Sequence, residues 1–296
     1  MARSGSLPEV ALGNEEAVRA WDTVLYDRWK KNRKVFVGAL DEVTDKAFEL
    51  YPPPEGGSCI DIGCGFGETT VQMAGLVGPE GFALGTDSSP HFIRDAINEA
   101  ADSGAGNVAF EVADAQVADW PPAHEYAFSR MGTQFFAAPV PAMRVIRGSL
   151  KPEGKLCKIC WQRKEDSALW AETEKIVERF LDHPEESDAD TCGPGPFSLG
   201  NPETCRGILE AAGFEDVEIE PFEFDYYMGG SMDEAVEAAT AIGPGAELIR
   251  LNGDFGESRR PEIEAALVER FTPLLREDGS VFGRAATWIV GATNPG

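Results

Sequence analysis

The sequence predicts an α/β protein built on a mostly parallel sheet with helices on both faces, and three observations carry that expectation. Between residues 58 and 161, short apolar runs alternate five times with helical stretches, the pattern of strands joined by crossover helices. Directly after the first run, "CIDIGCGFG" (Cys59 to Gly67) places glycines at every second position. Glycine packs poorly in a strand and loses the most entropy on ordering, so this stretch needs a bare backbone for another reason. Finally, 296 residues of 43% hydrophobic content suffice for a full core, in one large domain or one domain with an added cap.

The elements follow in order. "NEEAVRAWDTVLYDRW", starting at Asn14, offers an N-cap, an acidic first turn, and Val18, Trp21, Leu25 and Trp29 at helical steps, which predicts an amphipathic helix over 14–29. A second helix is expected over 35–50, ended by "YPPPEGG" at 51–57. Strands are then expected over 58–62, 81–86, 108–112, 126–129 and 154–161. Helices fall between them, over 68–76, 90–101, a short one after Asp114, and 140–150. Beyond Trp161 the rhythm changes to a mixed stretch containing "TCGPGPFSLG". After it come a helix over 202–212, a strand from 214 to about 224, helices near 232–241 and 261–275, and a last strand over 284–290. We divide the chain into residues 1–57, 58–162 and 163–296 within one compact domain, with no internal repeat or low-complexity tract.

Composition excludes some functions. Fifty-one acidic against 26 basic residues give a formal charge of −25, whose field repels nucleic acid and anionic membranes, so neither is expected as a partner. The opening residues MARSGSLPEV lack a secretory apolar core and no run of about 18 apolar residues occurs, which points to the cytoplasm. Cys59, Cys64, Cys157, Cys160, Cys192 and Cys205 show no framework and read as free thiols. Cys157 and Cys160 form a C-x-x-C, yet positions three apart on a strand face opposite sides, which favours packing over metal or redox use.

In a sheet of this kind, small molecules bind beyond the carboxyl ends of the strands. Gly63, Gly65 and Gly67 stand where the first strand hands over to a helix, so a ligand can approach the main chain at the donor end of that helix. A dinucleotide fingerprint counted from Gly63 would end on Glu68, whose carboxylate repels a pyrophosphate. S-adenosylmethionine carries a positive sulfonium and ammonium and no phosphate, so it suits Glu68 and Asp61 better.

Five motifs then follow one another: "DIGCGFG" (Asp61 to Gly67), "GTDSS" (Gly85 to Ser89), "VADAQ" (Val112 to Gln116), "FSRMGTQFF" (Phe128 to Phe136) and "LKPEGKL" (Leu150 to Leu156). From Ser58 to Trp161 this order resembles class I S-adenosylmethionine-dependent methyltransferases, in the broad group containing the ubiquinone and menaquinone biosynthesis enzymes. The resemblance implies a Rossmann-like seven-stranded sheet, a helical N-terminal lid, C-terminal cap insertions and S-adenosyl-L-methionine as cofactor. It implies that Asp61, Gly63, Gly65 and Gly67 cradle the methionine part, Asp87 with Ser88 meets the ribose, Asp114 with Ala115 meets the adenine, and Arg130 closes the fourth strand beside the donor. One departure is Pro-Glu-Gly at 152–154 where Pro-Gly-Gly is usual, expected to affect only the turn. Taken singly, Asp61, Asp87 and Asp114 also read as cap or turn aspartates.

Methyl transfer needs donor and acceptor held in line, and good orientation alone is worth roughly 7–11 kcal/mol. A base is therefore optional. Of His91, His124 and His183, only His183 stands as a weak catalytic candidate, and a solvated loop histidine is the preferred reading of it. Trp21, Tyr26, Phe135, Phe136, Trp161 and Tyr226 are expected to wall an acceptor pocket and to shelter the sulfonium. No metal site is expected, and no N-P-P-Y-like tetrapeptide of the nucleic-acid amino-methylating families follows the fourth strand. The reading is methyl transfer to a small-molecule acceptor. Its alternatives are an inactive donor-binding protein on the same fold and a nicotinamide-dependent oxidoreductase. The basic cluster "RWKKNRK" (Arg28 to Lys34) reads either as a solvated helix end or as the hinge of a lid. The acceptor atom, the pathway and the oligomeric state are not written in the sequence.

Overall fold

The computed structural model describes residues 9–184 and 194–296. Its centre is one seven-stranded sheet: β1 (Ser58–Ile62), β2 (Phe82–Asp87), β3 (Val108–Val112), β4 (His124–Arg130), β5 (Leu150–Trp161), β6 (Glu215–Gly229) and β7 (Val281–Thr293). The order is β3-β2-β1-β4-β5-β7-β6, with β1 to β5 parallel and β7 antiparallel to both neighbours. Strand order reverses between β1 and β4, which is where such sheets open a crevice. The edge strand β6 carries Glu215, Glu218, Glu220 and Glu223, charges that discourage further strand addition.

Two apolar layers sandwich the sheet. On one side Phe48, Met73, Phe128, Ile159, Phe224 and Leu267 pack together. On the other are Ile60, Met143, Ile146, Leu156, Leu209 and Val290. Cys157 belongs to the first layer and Cys160 to the second, so the C-x-x-C thiols face opposite sides of β5. Cys192 lies outside the described residues.

The N-terminal helices depart from expectation. The helix expected over 14–29 is two, Glu15–Asp22 and Val24–Lys31, broken at Thr23 (φ −130°, ψ −99°). The apolar stripe itself is as read, because Val18, Trp21, Leu25 and Trp29 all line one cavity, and a bend lets both helices follow its curved mouth. Residues 35–50 likewise divide into Arg33–Phe36, a 3-10 turn Gly38–Leu40 and the helix Asp41–Leu50. After Asp114 there is a turn instead of a short helix, because the Asp114 carboxylate accepts from Gln116 N two residues on (2.9 Å).

Three C-terminal helices went unread: Ala168–Val177, Gly243–Leu251 and Gly253–Ser258. The first buries seven of its ten residues, which erases the polar face that reveals a helical period. The second opens on Gly-Pro-Gly, a turn signal in sequence, yet Pro244 sits in the first turn, where its missing N–H costs nothing.

Candidate functional site

Leaving β1, the chain turns through Gly63, Gly65 and Gly67, all left-handed (φ +71°, +55° and +85°). Their roles differ. A Cβ on Gly63 would come within 3.1 Å of Gly132 Cα in the turn after β4, and one on Gly67 within 2.8 Å of the Phe110 ring. Both glycines are therefore set by close packing. A Cβ on Gly65 would meet nothing within 4 Å, so there a side chain would project into open space. That space belongs to a cavity of about 630 Å³ beyond the carboxyl ends of β1, β2 and β4. A groove of about 950 Å³ beside Lys31, Glu237, Arg260 and Glu264 is larger, but it lies among outer helices, away from the strand ends.

Asp87, at the end of β2, accepts from Gly65 N (3.0 Å) and from Ser89 N (2.9 Å), and lines the cavity with Ser88. Burial pushes its carboxyl up to about 6, against the lowering effect of those backbone donors. Asp61 sits below the cradle, off the cavity wall. Its Oδ2 accepts from Thr69 Oγ1 (2.6 Å) and Thr70 Oγ1 (2.7 Å), while the buried Oδ1 has no partner. Burial pushes this carboxyl also up to about 6. Asp87, on the cavity wall, fits a pair of ribose hydroxyls, and the fully buried Asp61 acts on a cationic ligand group only as charge at a distance, so the residues present suit the expected cofactor.

Asp114 is different. Its Oδ2 accepts from Ala11 N (3.0 Å) and Asn14 Nδ2 (2.8 Å), and its Oδ1 from Gln116 N (2.9 Å) and Gln116 Nε2 (3.4 Å). A carboxylate offers about four lone-pair sites, and in this conformation all four are used. Asp114 and Ala115 line the cavity, but the N-terminal segment occupies the place expected for adenine.

Arg130, at the end of β4, reaches the same cavity, donates to Thr44 Oγ1 (3.0 Å) and stands 3.7 Å from Asp41. Beyond it the chain takes a left-handed conformation at Met131 (φ +63°), which carries Gly132 against the β1 turn. The same turn delivers Gln134, Phe135 and Phe136 to the wall.

Trp21, Phe135, Phe136, Trp161 and Tyr226 line the cavity as expected, with Trp21 edge-on to Phe135 at 4.9 Å. Tyr26 does not. It packs behind Phe66 and Phe92 and donates to Asp95 Oδ2 (2.6 Å), because it lies about a quarter-turn from the stripe of Trp21 and Leu25. Sequence reasoning missed Trp29, Gln134, Trp170 and Phe197. Trp29 was legible on the helix stripe, whereas Trp170 comes from an unread helix. His183 stands on the cavity rim with its side chain 59% exposed, beside Glu178 Oε1 (2.8 Å). With Glu174 it forms the one group of possible metal ligands among the described residues, but Glu174 is already paired with Lys164.

The basic cluster lies at the surface, with the Lys30 and Lys31 side chains 56% and 71% exposed, yet it is ion-paired. Lys30 pairs with Asp95, Lys31 with Glu237, and Arg33 with both Glu68 and Glu99. Glu68 therefore has its own counter-charge, which weakens the argument from its charge against a pyrophosphate. The fold and the strand-end motifs decide instead.

Residues 54–195 match the family described as "Methyltransferase domain". This segment is a class I methyltransferase domain. Its cofactor is S-adenosyl-L-methionine. The domain is similar to nocamycin O-methyltransferase of Saccharothrix syringae, 29% identical over 116 residues, which is 38% of this chain and 41% of that protein. It is also similar to aklanonic acid methyltransferase of Streptomyces sp., 34% identical over 73 residues, 25% of this chain and 33% of that one. The matched stretches thus span less than half of either relative. Neither name refers to ubiquinone or menaquinone. Among solved structures, a Bacillus halodurans protein described as a candidate methyltransferase shares the fold at a TM-score of 0.55, with 15% identity over 86% of this chain and 99% of that one.

Proposed function

We propose that the protein transfers the methyl group of S-adenosylmethionine to a small-molecule acceptor by in-line displacement. The observation that carries this reading is a single cavity with the glycine cradle at one end and aromatic walls at the other, roofed by the two N-terminal helices. S-adenosylmethionine supplies an already activated methyl on a sulfonium, so the protein's part is to orient, to shield from water and to stabilise charge. Gly65 and Asp87 hold the donor's main-chain-facing and ribose sides, Asp61 lends negative charge below, and Ser88, Ala115 and Arg130 complete the donor wall.

On the acceptor side, Trp21, Trp29, Phe135, Phe136, Trp161 and Tyr226 favour a flat apolar molecule and place aromatic faces where a cation–π contact shelters the sulfonium. The printed activity of one relative, O-methylation, supports oxygen as the accepting atom. His183, on the rim with a carboxylate partner, is outside the chemistry in this reading. The overall charge of −25 and the absence of a helix long and apolar enough to cross a membrane, among the described residues, support a cytoplasmic role.

The test is a calorimetric titration with S-adenosylmethionine, S-adenosylhomocysteine and NAD, followed by incubation with labelled donor and a cell extract. Binding of the first two ligands, no binding of NAD, and label appearing in a small organic fraction are expected. Binding without any labelled product would leave a donor-binding protein and overturn the transfer reading.

A further inference from the structure

The aromatic half of the cavity is rich in hydrogen-bond donors that lack acceptors. Arg130, at the end of β4, lines the wall with its side chain only 10% exposed, and its guanidinium donates one hydrogen bond, to Thr44 Oγ1 (3.0 Å). Its one ion pair among the described residues, with Asp41 at 3.7 Å, reaches a carboxylate that is 73% exposed, so water weakens it. A guanidinium carries five N–H donors, and at this depth leaving them unpaired costs free energy. Burial accordingly pulls Arg130 below its ordinary value, against the raising effect of Glu68, Asp41, Asp61 and Tyr226.

Other groups on the same wall have the same need. The Trp170 indole nitrogen is buried without a partner among the described residues. Gln134, 2% exposed, accepts from Trp161 N through Oε1 (3.4 Å), while its Nε2 donates to no described group. The helix Gly243–Leu251 begins on this wall at Gly243 and Pro244, and no side chain caps its first turn, so its positive end is open as well. The carboxylates nearby are already engaged: Glu68 pairs with Arg33, Glu174 with Lys164 and Glu247 with Arg250.

Building on the methyl-transfer reading above, we propose that the acceptor is a flat apolar molecule bearing a carboxylate, and that Arg130 is the residue that binds this carboxylate. The donor brings a positive sulfonium into the same cavity, and a neutral acceptor would leave two cations, sulfonium and guanidinium, in one sheltered space. A carboxylate attracts both, and its two oxygens match the parallel N–H fork of a guanidinium. The chain's charge of −25 repels an anion at long range, but salt screens that field beyond about 8 Å, so the local cation decides. The donor also has a carboxylate, on its methionine part. Arg130 feels both Asp61 beneath the glycine turn and Tyr226 on the acceptor wall, so the test carries an arm for each source.

The experiment titrates 2-naphthoic acid, and separately its neutral amide 2-naphthamide, into the full-length protein saturated with S-adenosylhomocysteine at pH 7.5, where the acid is ionised. The wild type is expected to bind the acid more tightly than the amide by about tenfold or more. Arg130→Met should abolish that preference and Arg130→Lys keep part of it, since lysine retains the charge without the fork, while both variants hold S-adenosylhomocysteine within about threefold of wild type. No binding of the acid to the wild type, equal affinity for acid and amide, or a preference that survives Arg130→Met would overturn the proposal. So would a loss of S-adenosylhomocysteine binding by about tenfold or more in Arg130→Met, because Arg130 would then hold the donor's own carboxylate. Failure of S-adenosylhomocysteine to bind the wild type would overturn the donor reading itself, and the proposal with it.

Discussion

At the residue scale, burial sets the behaviour of the donor site. Asp61 and Asp87 are both pushed up to about 6, well above an ordinary aspartate at 3.8. A raised carboxyl means the folded, empty protein holds protons that the unfolded chain has released. Its contribution to stability is therefore greatest below the unfolded value and is lost as the pH rises through about 6. Donor binding runs the other way, because ribose hydroxyls and a cationic ligand favour the ionised carboxylates. We expect S-adenosylhomocysteine to bind about tenfold more weakly per pH unit below about 6 for each carboxylate that must be ionised, measured by calorimetry at pH 7.5 and 5.0. Equal affinities at the two values would show that neither carboxylate needs its charge. A second residue carries strain without function. Glu153 adopts φ +64° in the turn where the resembled family has glycine, and its N–H donates to Asn294 O (2.8 Å). Replacing Glu153 by Gly should raise stability by about 0.5–1 kcal/mol, read as a shifted urea midpoint at unchanged slope, because it relieves a left-handed side chain.

At the scale of elements, the N-terminal segment is a strap across the proposed donor site. Ala11 and Asn14 fill Asp114, while Asp22 accepts from Ser89 Oγ (2.7 Å) and His91 N (3.1 Å) at the start of the helix Pro90–Ser103. Arg33 and Lys30 tie the following helices to Glu68, Glu99 and Asp95. If adenine is read by Asp114, as the motif order suggests, the strap must yield one of its bonds when the donor enters. Asn14→Ala removes a competitor, so it should tighten S-adenosylhomocysteine binding several-fold, within the roughly 1.5–3 kcal/mol of a hydrogen bond to a charged group. Weaker binding in Asn14→Ala would mean that Asn14 itself contacts the donor.

At the scale of the molecule, the proposed donor site lies between the sheet and the N-terminal helices, so binding there should stabilise both together. At a hundredfold excess over its dissociation constant, S-adenosylhomocysteine should add about 2.7 kcal/mol and raise the melting temperature by several degrees, with NAD giving none. The same ligand should slow tryptic cleavage at Lys30, Lys31 and Arg33, whose ion pairs hold the roof down. A melting shift without protection at these sites would separate the roof from the binding site.

The sheet was legible in the sequence because each strand is a local apolar run between turn signals: 58–62, 108–112 and the helix 202–212 appear in the structure as read. The glycine turn was legible for the same reason, since left-handed backbone is a local demand that few other residues meet. What the sequence could not show are properties that depend on who comes near. Gly63 and Gly67 serve packing against Gly132 and Phe110, Tyr26 turns away from the cavity, and Asp114 is filled by Asn14. Local pattern specifies conformation; lone pairs and charges acquire their roles only from neighbours that the tertiary fold brings within about 3 Å.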